Sequence, residues 1–311
     1  MQTVRVIVVG LGVQGRKRRR IAGESCVATV DPAVAEADYS DIRDVPLSEF
    51  DAALLCTPDA NKFELIRYLV AHKKHVLVEK PLLFSELEQF DEIERSAREN
   101  QTLVYPAYNH RFEPSIVRAR EILNEGILGR VYRCDLYYGN GTAMLVRDSS
   151  WRDTGAGVIP DLGSHLLDMV LYWFNRPLSD LSLVSANCYE NRAPDHAEFH
   201  GEKILPHLHC EISLLSWRNS FAAHILGEDG SLHLRSLCKW SESEVVLRRR
   251  VRPSGIPLEE KWTEPEGDPT WAREFEYFVT SCESPVTSLR RDMEITRGLL
   301  QLTKESQSRN G

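Results

Sequence analysis

No Cys-x-x-Cys pair occurs among the seven cysteines, and an odd count cannot pair completely. Most sit in apolar surroundings, such as Leu54-Leu55-Cys56. They read as buried thiols of a reducing compartment rather than as a disulfide framework. No apolar run approaches the roughly eighteen residues that a membrane span requires. Positive charge is also short: 38 Lys and Arg stand against 46 Asp and Glu, a net charge of -8. That balance argues against a nucleic acid or an anionic membrane as the main partner. There is no internal repeat and no low-complexity tract. The first apolar segment begins almost at the N-terminus, which leaves no room for a signal peptide, so the expected location is cytoplasmic. A chain of 311 residues is long enough for one or two domains with ample core.

The most informative feature present is the start of the chain. Val4 to Val9 is an apolar run, and Gly10-Leu11-Gly12-Val13-Gln14-Gly15 follows at once. A strand leading into G-x-G-x-x-G and then a helix is the dinucleotide-binding fingerprint. Gly10 serves the tight turn, Gly12 the approach of backbone to a pyrophosphate, and Gly15 the close packing of helix on strand. The N–H groups of Val13, Gln14 and Gly15 open the helix and suit an anion. A second strand, Cys26 to Val30, ends in Asp31, about twenty residues after the first glycine, where a carboxylate accepts from ribose hydroxyls. NAD is the expected cofactor. NADP is the alternative if one of Arg16 to Arg20 folds back over the adenosine ribose. The rest of that basic run reads as a solvated helix face.

Strands and helices alternate to about residue 110. Strands are expected at Asp51 to Cys56, His75 to Val78 and Thr102 to Tyr108. Helices are expected at Asn61 to Ala71 and, from a Ser85/Glu88 capping box, to Asn100. Pro32 to Phe50 lacks helical periodicity. This alternation predicts a parallel sheet covered on both faces. Beyond Arg111, strands are predicted at Val131 to Tyr138, Leu181 to Tyr189, Leu208 to Leu215, Ser220 to Leu226, Ser231 to Leu234 and Val245 to Val251. Helices are predicted at Pro114 to Asn124, Ile159 to Phe174, Trp271 to Ser281 and Met293 to Ser306. Successive strands without intervening helices predict a mostly antiparallel sheet. The fold class is α/β, divided into residues 1–112 and 113–311.

Ligands of open parallel sheets bind beyond the carboxyl ends of the strands. Gly10 to Gly15, Thr57-Pro58 and Glu79-Lys80-Pro81 should meet there. Pro81 cannot continue a ladder, so it stops the strand and turns Lys80 into the cleft. A lysine so placed can hydrogen-bond a substrate hydroxyl or relay its proton; its plainer reading is a surface lysine at a strand end. Further on, Gly155-Ala156-Gly157-Val158-Ile159-Pro160-Asp161-Leu162-Gly163-Ser164-His165-Leu166-Leu167-Asp168 puts Asp161 and His165 four apart, on one helical face. A carboxylate beside an imidazole suits a general base; the plainer reading is a capping pair on a buried helix. Asp168 falls near the same face and reads as structural.

V-I-V-V-G-L-G-V-Q-G, C-T-P-D, H-V-L-V-E-K-P, N-H-R-F-E-P and G-V-I-P-D-L-G-S-H-L-L-D span residues 4 to 168. In order and spacing they resemble the Gfo/Idh/MocA family of nicotinamide-dependent oxidoreductases. The resemblance implies a Rossmann domain followed by an α/β domain with an open sheet, and a homodimer or homotetramer formed through that C-terminal sheet. It implies that Lys80, Asp161 and His165 are the catalytic lysine, aspartate and histidine. It implies hydride transfer between nicotinamide and a carbinol carbon of a sugar, a sugar derivative (nucleotide-linked ones included) or a cyclitol. Some relatives instead cleave glycosides by oxidation and elimination with tightly held NAD. A non-catalytic dinucleotide-binding regulator is the third reading.

The chain departs from the family's habits in three places. The segment between Asp31 and Asp51 is short, which leaves the adenine side of the site more open. Lys62 stands four residues after Thr57-Pro58, and Arg18 three residues after Gly15, where the family often has histidine. Arg111, Tyr138, Asn140, Arg147, Trp151 and Arg152 are candidates for the substrate wall beside His165, the aromatic groups for stacking and the arginines for a carboxylate or phosphate. His196, His200, His207 and His209 read as structural or substrate-facing, and no metal is expected.

Overall fold

A computed structural model describes residues 4–149 and 152–310. The chain forms two compact units, each discontinuous in sequence. Unit 1 is Met1–Asn109 with Thr270–Thr296, and unit 2 is His110–Pro269 with Arg297–Gly311.

Unit 1 carries a five-stranded sheet. Its strands are β1 (Val6–Val9), β2 (Cys26–Val30), β3 (Ala52–Leu55), β4 (His75–Glu79) and β5 (Val104–Ala107), in the order β2-β1-β3-β4-β5. Every neighbouring pair is parallel. Side chains alternate between the faces, yet Val6, Ile7, Val8, Ala53, Leu54 and Val78 are all fully buried. Both faces are therefore covered, as continuous apolar strands require. The helices are α1 (Val13–Ala22), α2 (Asp59–Ala71) and α3 (Glu88–Asn100), with α7 (Thr270–Ser281) returning later in the chain. Between β2 and β3 there is only one short 3-10 turn, Ile42–Asp44, and a parallel bridge from Val30 to Tyr39.

The Ser85/Glu88 capping box does not form. The α-helix begins at Glu88 with Leu87 already helical. Gln89 Oε1 instead accepts from Ser85 Oγ and the Glu86 N–H, each at 3.2 Å.

Unit 2 is built on eight strands. They are β6 (Val131–Gly139), β7 (Leu181–Asn187), β8 (His196–Gly201), β9 (His207–Ser213), β10 (Ser220–Gly227), β11 (Gly230–Arg235), β12 (Ser243–Val251) and β13 (Gly255–Glu264). The order is β13-β12-β11-β10-β6-β9-β8-β7, antiparallel throughout except for the parallel β6–β9 pair. Its helices are α4 (Pro114–Asn124), the short α5 (Ala143–Arg147) and α6 (Ser164–Phe174), with the part of α8 (Arg290–Asn310) from Arg297 onward. One sheet face buries Leu136, Phe199, Ile212, Phe221, Ile225 and Leu232.

Cross-strand register places His200, His209, Asp135, His224 and His233 in one row on the opposite face. His196 lies four residues from His200 and His207 two residues from His209 on the same strands, hence on the same face. β8, β13 and α5 are additions to the sequence reading. β13 is exposed along almost its whole length, so no apolar alternation announces it.

Candidate active site

The glycine loop of unit 1 is assembled by steric demand. Gly10 has φ +91°, and a Cβ there would lie 2.7 Å from the Cys56 carbonyl oxygen. A Cβ on Gly15 would lie 1.7 Å from the Gly10 oxygen, so only glycine lets α1 pack this close. Gly12 is the N-cap of α1, and a Cβ there would meet nothing within 4 Å. It carries no side chain to cap the helix. The N–H groups of Val13, Gln14 and Gly15 are the first of α1 and lie at the positive end of the helix.

Asp31 closes the loop. Its Oδ2 accepts from the Leu11 N–H at 2.7 Å, and its Oδ1 from Ala33 (2.8 Å) and Val34 (3.2 Å). Burial opposes the charge, but these backbone donors prevail and hold the carboxyl below its ordinary value. A carboxylate offers about four acceptor positions, so one remains for a ribose hydroxyl. A recess of about 360 Å³ lies alongside, lined by Asp31, Pro32, Val34, Asp38 and Tyr39 among others. Arg16 is paired with Glu36 at 2.6 Å. At the end of β3, the Thr57 hydroxyl is buried and has no hydrogen-bond partner among the described residues. Pro58 precedes α2 as its N-cap.

Glu79 ends β4, and Lys80-Pro81 follows with a cis peptide bond. The Glu79 carboxylate is gripped by Arg18 Nε at 2.7 Å. Arg18 is 1% exposed, pairs through Nη1 with Glu274 of α7 at 2.7 Å, and stacks over Trp271 at 4.2 Å. Arg16, Arg19 and Arg20 are exposed, as a solvated helix face requires, but that reading fails for Arg18. Arg18 is a buried cation, and Lys17 also lies over Trp271, at 4.0 Å. Burying such a charge costs several kcal/mol unless well-placed partners offset it, and the two carboxylates do so. Lys62 is likewise buried. Its Nζ donates to the Glu79 and Pro81 carbonyls at 2.6 and 2.9 Å and pairs with Asp59 at 2.6 Å.

In unit 2, Asp161 lies in a single π-helical turn, Ile159–Gly163, that runs directly into α6 and its His165. The His165 ring stacks on His110, with centroids 4.2 Å apart and planes at 24°. Tyr138 meets His165 edge-on at 5.7 Å and Trp240 at 5.5 Å. Burial, then the Asp161 carboxylate, pushes the Tyr138 phenol upward, which keeps it a neutral hydroxyl. Lys239 Nζ lies 2.7 Å from His110 Nε2. An ammonium only donates, so Nε2 accepts and the ring hydrogen sits on Nδ1.

The other predicted wall residues have varied settings. Arg152 pairs with Asp161 at 3.4 Å. Arg147 is exposed at the end of α5. The Asn140 side chain accepts from the Thr142 N–H and hydroxyl. Arg111 commits its guanidinium fork to the buried Asp168, with Nε at 3.0 Å and Nη2 at 2.5 Å. Trp151 lies outside the described residues. His196 and His209 approach Glu198 at 3.5 and 4.0 Å. Among the described residues there is no group of three or more His, Cys, Asp or Glu side chains fit to hold a metal ion. No described helix is long and apolar enough to cross a membrane.

Sequence reasoning did not single out His110, Lys239, Trp240, Trp271 or Glu274, nor the tasks of Arg18 and Lys62. For Arg18 a signal existed: it lies one turn after Gly15, on the helix face that glycine brings against the strand.

Comparison with known proteins agrees with this geometry. Residues 4–108 match the family model described as "Oxidoreductase family, NAD-binding Rossmann fold". Residues 116–233 match the one described as the GFO/IDH/MocA C-terminal domain. The chain belongs to the Gfo/Idh/MocA family, and unit 1 contains its NAD-binding Rossmann domain. An uncharacterized oxidoreductase of Synechocystis is 28% identical over 209 residues, which cover 60% of this chain and 55% of that protein. Inositol 2-dehydrogenase 2 of Mycolicibacterium vanbaalenii is 25% identical over 210 residues, 59% of this chain and 57% of that protein. The chain thus spans only about half the length of these curated relatives. The solved UDP-N-acetylglucosamine 3-dehydrogenase of Acidithiobacillus ferrooxidans shares the fold, with a TM-score of 0.80 at 18% identity over 99% of both chains.

The residues of unit 1 fit the cofactor on structural grounds. The Gly12 position is open, the Thr57 hydroxyl is buried and unbonded, and Asp31 keeps one acceptor position.

Proposed function

We propose that the protein is an NAD(P)-dependent oxidoreductase acting on a carbinol carbon of a sugar, a sugar derivative or a cyclitol. The observation that carries this reading is the setting of His165. Its imidazole stacks on His110 and meets Tyr138 edge-on, Tyr138 in turn lies against Trp240, and the helix that carries it is entered through Asp161. Acid–base groups next to aromatic faces suit a polyhydroxylated ring, whose C–H faces stack while its hydroxyls are read by polar groups.

The loop from Gly10 to Gly15 and the side chains of Asp31 and Thr57 would hold the cofactor. When bound, NAD would supply the acceptor for the hydride of the carbinol carbon, and NADH the donor in the reverse direction. His165 takes the hydroxyl proton as the carbonyl forms. Asp161 orients the imidazole and stabilises its protonated form. Lys80 donates a hydrogen bond to the reacting oxygen, which favours the charge that develops there. Tyr138, Trp240, Arg152 and Arg147 form the wall that reads the substrate. The open face of the eight-stranded sheet serves as the surface of a homodimer or homotetramer, which sedimentation of the purified chain would test.

The test is absorbance near 340 nm with NAD and a panel of sugars, nucleotide sugars and cyclitols. Lys80→Ala and His165→Ala should each lower turnover by at least ~10²-fold, the scale of a positioned acid–base group. NADH binding should survive His165→Ala. Near-normal oxidation by both variants would refute the assignment. Cleavage of a chromogenic glycoside without net change at 340 nm would favour oxidation–elimination instead.

A further inference from the structure

We propose that Lys62 is a positioning residue for Lys80, gripping the backbone on both sides of it. The proposal rests on the reading of Lys80 as a catalytic group. An ammonium has three N–H donors, and all three are used here. They go to the Glu79 carbonyl at 2.6 Å, the Pro81 carbonyl at 2.9 Å and Asp59 Oδ1 at 2.6 Å. The two carbonyls flank Lys80 directly.

They need such a donor because regular pairing stops there. The β4–β5 ladder ends at Glu79 opposite Ala107, and Pro81 brings no N–H of its own. Arg18 holds Glu79 a second time, through its side chain. The proline ring fixes φ at residue 81. Residue 80 is thus bounded by two anchored neighbours, and its side-chain torsions are the freedom left to it.

The electrostatics of the grip agree with this arrangement. Burial lowers the Lys62 pKa first of all, Asp59 and Glu79 oppose that, and the neighbouring Lys80 charge lowers it further. An ammonium kept there against burial and a like charge is placed by its acceptors.

Two substitutions separate grip from mere space filling. Lys62→Met keeps the length and removes the donors. Lys62→Gln removes the charge, keeps an N–H pair, and is the second variant to use if the methionine variant does not fold. With a substrate in hand, Lys62→Met should lower kcat by at least tenfold, with KM and the NADH dissociation constant changed less than threefold. Lys62→Gln should recover part of the loss.

A second measurement needs no substrate. Trace acetylation followed by peptide mapping reads the reactivity of Lys80 relative to the exposed Lys203. That ratio should change at least threefold in Lys62→Met and return toward the wild-type value in Lys62→Gln. An unchanged ratio in the variants overturns the proposal, whether or not a substrate has been found. A changed ratio with unchanged kcat overturns it as well. Absence of turnover by the wild-type protein on every substrate would count against the dehydrogenase reading, while the labelling ratio would still decide the grip.

Discussion

Replacing Gly15 with alanine would put a methyl carbon 1.7 Å from the Gly10 carbonyl oxygen, where real Cβ contacts essentially never fall below 3.0 Å. Backbone meets backbone at this point, so α1 must retreat from the strand by about 1.3 Å. The same helix carries Arg18 one turn later, 2.7 Å from both Glu79 and Glu274. A retreat of that size breaks the Arg18–Glu79 hydrogen bond and weakens the Arg18–Glu274 ion pair. Overpacking costs roughly 1–3 kcal/mol, and weakening a buried pair adds to it. Exchanging glycine for alanine inside a helix returns about 1 kcal/mol. The net expectation is a loss of ~2–4 kcal/mol, read as a lower urea midpoint of the cofactor-free protein.

Gly12→Ala is the control. Its methyl meets no atom within 4 Å, and its φ of -65° suits any residue. Unfolding should shift by less than ~1 kcal/mol, the scale of an N-cap change. NADH affinity, followed by fluorescence, should still fall at least ~10-fold, because the methyl would occupy the pyrophosphate's approach. If Gly15→Ala unfolds like the wild type, the close-packing argument fails. If Gly12→Ala binds NADH normally, the cofactor does not use this loop as proposed.

The remaining expectations concern cofactor choice and acid stability. Wild-type protein should bind NADH at least ~10-fold more tightly than NADPH, because a 2′-phosphate would face the Asp31 carboxylate. Asp31→Asn should bring the two affinities toward parity, and tighter NADPH binding by the wild type would mean that the arginines of α1 prevail. Asp38 is held below the usual carboxylate range by the Thr29 hydroxyl first and then the Thr29 N–H. A depressed folded-state pKa contributes stability above the unfolded value near 3.9, and that contribution disappears as pH falls through the folded value. Asp38→Asn should therefore be less stable than wild type at pH 7, with the difference shrinking as the pH falls below that unfolded value and urea midpoints as the measure. A constant difference across that range would sink the assignment.

The first sheet was legible because its strands are apolar runs, buried along most of their length, and because β1, β3 and β4 lead into Gly10, Pro58 and Pro81. Asp31 and the glycines were legible for the same local reason. The roles of Lys62 and Arg18 were not, because a lysine on a helix and a run of basic residues give no sign of facing inward. Which side chain turns inward is decided by how the helix docks. β8 carried a readable alternation, with Ala197 and Phe199 buried between His196, Glu198 and His200, but its polar residues suggested a loop. Around His165, the stacking partner His110 lies 55 positions earlier and Lys239 74 positions later. Such a neighbourhood exists only once the sheet is assembled.

The open sheet face collects His196, His200, His207, His209, His224 and His233, six of the ten histidines in a chain whose net charge is -8 with histidine neutral. Asp135 stands in the same row, and Glu198 and Glu211 lie two residues from His200 and His209 on the same face. Imidazoles and carboxylates therefore alternate across one plane. A surface laid on that sheet would meet polar donors and acceptors side by side rather than an apolar patch.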